Sequence, residues 1–307
     1  MNWADRLDAA VQRVGNPCLV GIDPHLDLLP DEFALARDAR APRAGRAAAL
    51  ERFCCELLDV VSDRVAAVKP QSAFFEVLGA DGLVAWERVV AHAHRRGLYV
   101  IGDVKRGDIA STARAYAEAL LGASSVGEGT SCDAITVSPW LGGDTLRPFV
   151  EVARAASKGI YVLVRTSNPG AAEFQNSGQP PMCEEVARVV TDLGAEDVGA
   201  CGYSCVGAVV AATRKDELRR LRALLPHAPL LLPGYGAQGA SAEDVLAAFP
   251  DGGHPLRGAV INSARGIAFA YRKAGAPSDW RRAASDALDA MIEAVTGALN
   301  RTSIGSR

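Results

Sequence analysis

Short runs of apolar and β-branched residues recur along the chain, and between them lie longer stretches whose apolar positions return every three to four residues. Alternation of this kind marks parallel βα units, in which a strand covered on both faces loses the apolar/polar alternation of a half-exposed one. Eight runs qualify: 18–23 (CLVGID), 65–69 (VAAVK), 98–105 (LYVIGDVK), 133–138 (DAITVS), 159–165 (GIYVLVR), 206–211 (VGAVVA), 229–233 (PLLLP) and 258–262 (GAVIN). Helical periodicity occupies 82–96, 112–121, 143–156, 182–193 and 241–248, and 280–299 closes the chain. The count of eight favours a barrel over a doubly wound sheet, so the pattern predicts an α/β chain forming one (β/α)₈ TIM-barrel domain over residues 1–307.

Two stretches exceed the minimal repeat. Residues 26–48, rich in Pro, Ala and Arg, extend the first βα connection. Residues 166–181 (TSNPGAAEFQNSGQPP) form a polar, Gly- and Pro-containing loop after the fifth strand, which is expected to act as a lid.

Composition narrows the function. The 307 residues are 49% hydrophobic and carry a net charge of −3, so no basic field is available to hold a nucleic-acid polymer. No apolar run approaches the roughly 20 residues that span a bilayer, and the N-terminal stretch mixes charges unlike a signal peptide. A cytoplasmic protein with no membrane partner is expected. The seven cysteines are odd in number and lack C-x-x-C pairs, which argues against a disulfide framework and against zinc; Cys201 and Cys205 lie four apart with no second pair or neighbouring His.

In such barrels chemistry sits at the C-terminal ends of the strands. The densest signal there is Asp103-Val104-Lys105-Arg106-Gly107-Asp108 at the end of the third run. Strand alternation points Asp103 and Lys105 to one side, into the barrel mouth, with Val104 on the other, while Asp108 falls on the following loop. Lys69 ends the second run and Asp23 the first. One Asp-x-Lys is more often a rim ion pair, but Lys69 and Asp23 at neighbouring strand ends turn it into an array of alternating charge suited to a charged substrate.

A second constellation joins the seventh and eighth runs: Gly234, Gly236, Gln238 and Gly239 in PGYGAQG, then Arg265 in NSARG. Glycine turns let backbone N–H groups approach a phosphate, and an arginine fork can clamp it, so a phosphate site is expected.

These motifs, Asp-x-Lys-x-x-Asp-Ile at 103–109 followed by Thr112, Val-Lys-Pro-Gln at 68–71 and Pro-Gly-x-Gly-Ala-Gln-Gly at 233–239, closely resemble those of the orotidine 5'-phosphate decarboxylase family, in its longer bacterial branch. The resemblance spans about residues 18–275. It implies decarboxylation of orotidine 5'-monophosphate to uridine 5'-monophosphate in de novo pyrimidine biosynthesis, without metal or cofactor. It further implies Lys105 as proton donor, Asp103 beside the substrate carboxylate and Lys69 holding the array. Asp23 would bind ribose, Ser138 the pyrimidine edge, and Gln238 and Arg265 the phosphate. Asp108, Ile109 and Thr112 would reach a neighbouring subunit's site, giving a homodimer with shared sites.

The eighth run departs from shorter family members, which read Gly-Arg-Ser where this chain reads Asn-Ser-Ala-Arg-Gly. His25 reads as a loop residue and His92 and His94 as surface residues far from the mouth. Arg165 and Asn168, in the lid region, stay outside the primary site. Two rivals remain: a metal-dependent sugar-phosphate lyase of the same superfamily, which carries a carboxylate where this chain has Lys69, and a silent nucleotide-binding barrel.

Overall fold

The computed structural model describes residues 1–122, 131–212, 214–236, 239–250, 254–273, 275–276 and 278–304. Eight parallel strands close into a barrel in chain order: β1 (Cys18–Ile22), β2 (Ala67–Pro70), β3 (Tyr99–Arg106), β4 (Ala134–Val137), β5 (Gly159–Arg165), β6 (Val206–Val210), β7 (Leu230–Leu232) and β8 (Ala259–Ser263). Each overlaps one of the eight apolar runs. Closure is made between β1 and β8, in the register Cys18↔Ile261, Leu19↔Asn262 and Val20↔Ser263. β1, β4 and β6 are buried at every position, because helices cover the outer face while side chains fill the inner one.

The predicted helices appear with shifted or divided ends. The stretch 143–156 splits into a 3₁₀ turn, Gly143–Leu146, and an α-helix, Arg147–Ala155, whose first turn holds Pro148, where a missing N–H costs no helical hydrogen bond. At 241–248 Ser241 caps Ala242–Val245 in a reciprocal box with Asp244, and a 3₁₀ turn, Leu246–Ala248, follows.

The N-terminal stretch, read from the sequence only as mixed in charge and unlike a signal peptide, is a helix, Trp3–Val14, capped by the Asn2 side chain, which accepts from the Asp5 N–H at 2.9 Å. Its apolar face covers the N-terminal end of the barrel. Trp3 is fully buried, edge-on to Tyr99 at 5.5 Å, and lies so close to Gly159 that a Cβ there would stand 2.1 Å from its indole. Gly207 makes the same kind of room for the ring of Tyr161.

The extended first connection holds two 3₁₀ segments, Leu26–Leu28 and Asp31–Arg37, before the helix Arg43–Val61. It is fastened to the far end of the chain. Phe33 packs edge-on to Phe53 and Trp280, at 5.4 and 5.8 Å. Glu32 accepts from Trp280 Nε1 at 2.7 Å and pairs with Arg281 at 2.9 Å, and Tyr271 donates its hydroxyl to the Leu28 carbonyl.

Candidate active site

At the C-terminal ends of β2 and β3 three charges meet. Asp103 receives Lys69 Nζ on Oδ2 at 2.6 Å and Lys105 Nζ on Oδ1 at 2.5 Å. Lys69 and Asp103 are buried, whereas Lys105 is half-exposed, so its ammonium is the one turned toward the opening. Burial by itself would raise the Asp103 pKa, but the two ammonium groups outweigh it and hold the carboxyl far below the usual carboxylate range. Burial likewise works against a charged Lys69, and Asp103 with Asp23 outweighs it, raising the Lys69 pKa above its ordinary value.

Strand alternation alone does not produce this arrangement. Between Gly102 and Arg106 the register of β3 against β4 shifts, with Gly102 opposite Ile135 and Arg106 opposite Val137. Lys105 stands inside that irregularity in the left-handed region, at φ +45°. Val104, expected on the outer side, is buried, which suits a face that helices cover. A residue with no earlier signal, Thr136 on β4, bridges the irregular stretch: its Oγ1 accepts from the Val104 and Lys105 N–H groups and donates to Asp103 Oδ1. In the sequence Thr136 reads as one more β-branched strand former.

A cavity of about 410 Å³ opens over these groups. Asp23, Lys69, Asp103, Lys105 and Thr136 form one wall, and Gly234, Tyr235, Asn262 and Arg265 another. Leu163, Val209 and Leu231 supply an apolar floor, and Thr166, Ser167 and Asn168 bring in the start of the 166–181 loop. Asp23 Oδ1 and Asn262 Oδ1 are buried acceptors without a donor among the described residues, which suits a ligand carrying hydroxyl or N–H groups.

Gly234 and Gly236 both take positive φ, +92° and +72°, the backbone freedom expected of a phosphate turn. Arg265 begins the short helix Arg265–Ala268 directly after β8, is exposed, and has no ion-pair partner among the described residues. Gln238 lies outside the described residues.

Asp108, Ile109, Thr112 and Ser138 stand apart from this cavity's wall. Asp108 uses Oδ1 to accept from the Ile109 N–H at 2.8 Å, ahead of the helix Ala110–Leu121. Ile109 is 60% exposed and Thr112 is exposed on the first turn of that helix. Ser138 donates its N–H to the Arg106 carbonyl and packs against Gly107.

Arg165 does not enter the cavity: it is buried behind it, bonded to Glu217 at 3.0 Å and to the Thr166 carbonyl at 2.8 Å. Gln175 ties the loop onto itself, accepting from the Thr166 N–H and donating to the Thr166 hydroxyl. Asn168, by contrast, lies on the cavity wall. His25 packs against Phe74 at 4.3 Å, and burial, aided by nearby Arg265, lowers its pKa. His92 and His94 pair with Asp59 and Asp133. All seven cysteines are free thiols, and no group of three metal-ligating side chains occurs among the described residues. No helix among the described residues is long and apolar enough to cross a membrane.

Residues 21–277 match the family described as Orotidine 5'-phosphate decarboxylase / HUMPS. A protein of Rhodopirellula baltica named orotidine 5'-phosphate decarboxylase is 45% identical over 97% of this chain and 100% of its own length. One of the same name from Clostridium tetani is 35% identical over 96% and 98%. Among solved structures, Leishmania donovani OMP decarboxylase superposes with a TM-score of 0.72 at 30% identity, covering 98% of this chain and 99% of that one.

Proposed function

The chain belongs to the orotidine 5'-phosphate decarboxylase / HUMPS family, and from that premise we propose that it is the carboxy-lyase that converts orotidine 5'-monophosphate to uridine 5'-monophosphate and CO₂ in pyrimidine biosynthesis. The observation that carries this reading is the Lys69–Asp103–Lys105 array, with one buried carboxylate held between two ammonium groups at 2.6 and 2.5 Å.

Loss of CO₂ breaks the C6–carboxylate bond and leaves its electron pair on C6 of the pyrimidine, where no ring system conveniently delocalises it. The Lys105 ammonium supplies a fixed positive charge beside that pair and then gives it a proton, so the product carries C6–H and Lys105 is left neutral until solvent reprotonates it. Asp103 faces the substrate carboxylate, and their repulsion is relieved as neutral CO₂ leaves. Lys69 keeps Asp103 ionised and in place. Contacts remote from C6 offset that crowding: the phosphate on Arg265, Gln238 and the Gly234–Gly236 turn, the ribose hydroxyls on Asp23, the pyrimidine edge on Ser138.

In this reading residues 1–307 act as one barrel domain in the cytoplasm, with 166–181 closing over bound substrate as a lid. Asp108, Ile109 and Thr112, standing off their own cavity, reach into the site of a second copy, and the working form is a homodimer. The metal-dependent sugar-phosphate reading fits the array poorly. Both oxygens of Asp103 are already engaged, Oδ2 by Lys69 and Oδ1 by Lys105 and Thr136, which leaves no free carboxylate edge for a divalent cation.

The test is the absorbance change of orotidine 5'-monophosphate on mixing with purified protein in EDTA. Wild type is expected to produce uridine 5'-monophosphate, and Lys105→Ala to lose at least about 10²-fold in rate. No conversion by wild type in EDTA would sink the reading, and recovery on adding Mg²⁺ with a sugar phosphate would favour the lyase.

A further inference from the structure

We infer that Thr136 is a positioning residue for this reaction: its hydroxyl fixes where Asp103 and the Lys105 ammonium stand relative to the substrate. The inference rests on the functional reading above and adds to it a residue on a strand that the motifs leave unmarked.

The Thr136 side chain is 1% exposed, and its hydroxyl uses all of its hydrogen-bonding capacity. Oγ1 accepts from the Val104 N–H at 3.1 Å and the Lys105 N–H at 3.0 Å, and donates to Asp103 Oδ1 at 3.0 Å. That Asp103 oxygen is the one that receives Lys105 Nζ. A single hydroxyl therefore touches the backbone of the proton donor and the carboxylate that orients the donor's head group.

The location matters as much as the bonds. Val104 and Lys105 lie where the β3–β4 register shifts, between the pairs Gly102↔Ile135 and Arg106↔Val137. Lys105 holds a left-handed φ of +45°, a conformation that a non-glycine residue keeps only where its surroundings over-determine it. Thr136 supplies a fixed acceptor at that point. Reacting groups must be held to a fraction of an ångström, and outer partners that orient them typically govern rate more than affinity.

Thr136→Val keeps the β-branched shape and removes the hydroxyl. With orotidine 5'-monophosphate as substrate, kcat is expected to fall about 10- to 100-fold, the range for losing an outer partner of a reacting group. Affinity for uridine 5'-monophosphate, which lacks the carboxylate, is expected to change less than about threefold, since an interaction exerted in the transition state appears in kcat. Thr136→Ser, which restores the hydroxyl, is expected to recover most of the rate.

An unchanged kcat in Thr136→Val, a parallel loss of product affinity, or no recovery in Thr136→Ser would overturn the inference. If Thr136→Val does not fold, Thr136→Cys takes its place in the same comparison. Amide hydrogen exchange at Val104 and Lys105 provides a readout that needs no turnover: both amides are expected to exchange faster in Thr136→Val, and unchanged protection counts against the assignment. Failure of wild type to convert the substrate would overturn the functional reading, and exchange would still decide whether Thr136 fixes this segment.

Discussion

At the scale of single residues, the site is a buried charge held ionised by its neighbours. Removing one ammonium from such a pair leaves the other charge under-compensated, so Lys69→Met is expected to destabilise the fold by about 3 kcal/mol, at the low end for broken buried pairs because Lys105 and Thr136 remain on Asp103. Chemical denaturation measures this. The depressed Asp103 pKa contributes stability that is present above the unfolded value near about 4 and is lost as pH falls toward the folded one. The raised Lys69 pKa contributes stability that is present below about 10 and is lost as pH rises through its folded value. The difference between wild type and Lys69→Met is therefore expected to stay level from about pH 5 to about pH 9 and to shrink in stronger acid. A difference that peaks sharply near neutrality would contradict this account. Lys69, Asp103 and Lys105 were legible in the sequence because charge at the end of an apolar run is conspicuous. Thr136 was not, since a threonine in such a run looks like strand propensity, and its role exists only where β3 slips against β4.

At the scale of elements, apolar runs located all eight strands because burial on both faces leaves a continuous signal, whereas helix ends depend on caps and prolines that periodicity does not record. The register shift in β3 was invisible for the same reason: period-two reasoning assumes an unbroken ladder, and the side-chain pairing of Asp103 with Lys105 survives here through a left-handed residue instead. The N-terminal helix shows how an amphipathic stretch acquires a definite task. Its Trp3 seals the end of the barrel opposite the cavity, so Trp3→Ala is expected to cost about 3–5 kcal/mol of stability. Turnover measured well below the melting temperature is expected to stay within about twofold of wild type, because only interactions felt at the reacting atoms alter the rate. A loss of kcat comparable to that of Thr136→Val would show that the plug and the mouth are coupled through the strands.

At the scale of the whole molecule, apolar side chains gather on the loops after three successive strands: Ile109 is 60% exposed, Trp140 69% and Phe174 59%, the last two in edge-on contact at 5.7 Å. Such a patch is suited to burial against a second copy. Ile109→Asp is expected to shift sedimentation toward monomer and to lower kcat together, and a fully active monomer would refute shared sites. The fastening of the first connection to the last helix has a consequence in time. Glu32 meets Arg281 across 249 residues of sequence, and β1 meets β8 across nearly as many. At about 5–20 residues per second, a ribosome releases those partners roughly 10–50 s after the first strand emerges. Through that interval β1 keeps one unpaired edge and Phe33 has no Trp280 to cover it, so the newborn chain exposes a strand edge and an aromatic face for longer than a chain of the same size closed by local contacts would.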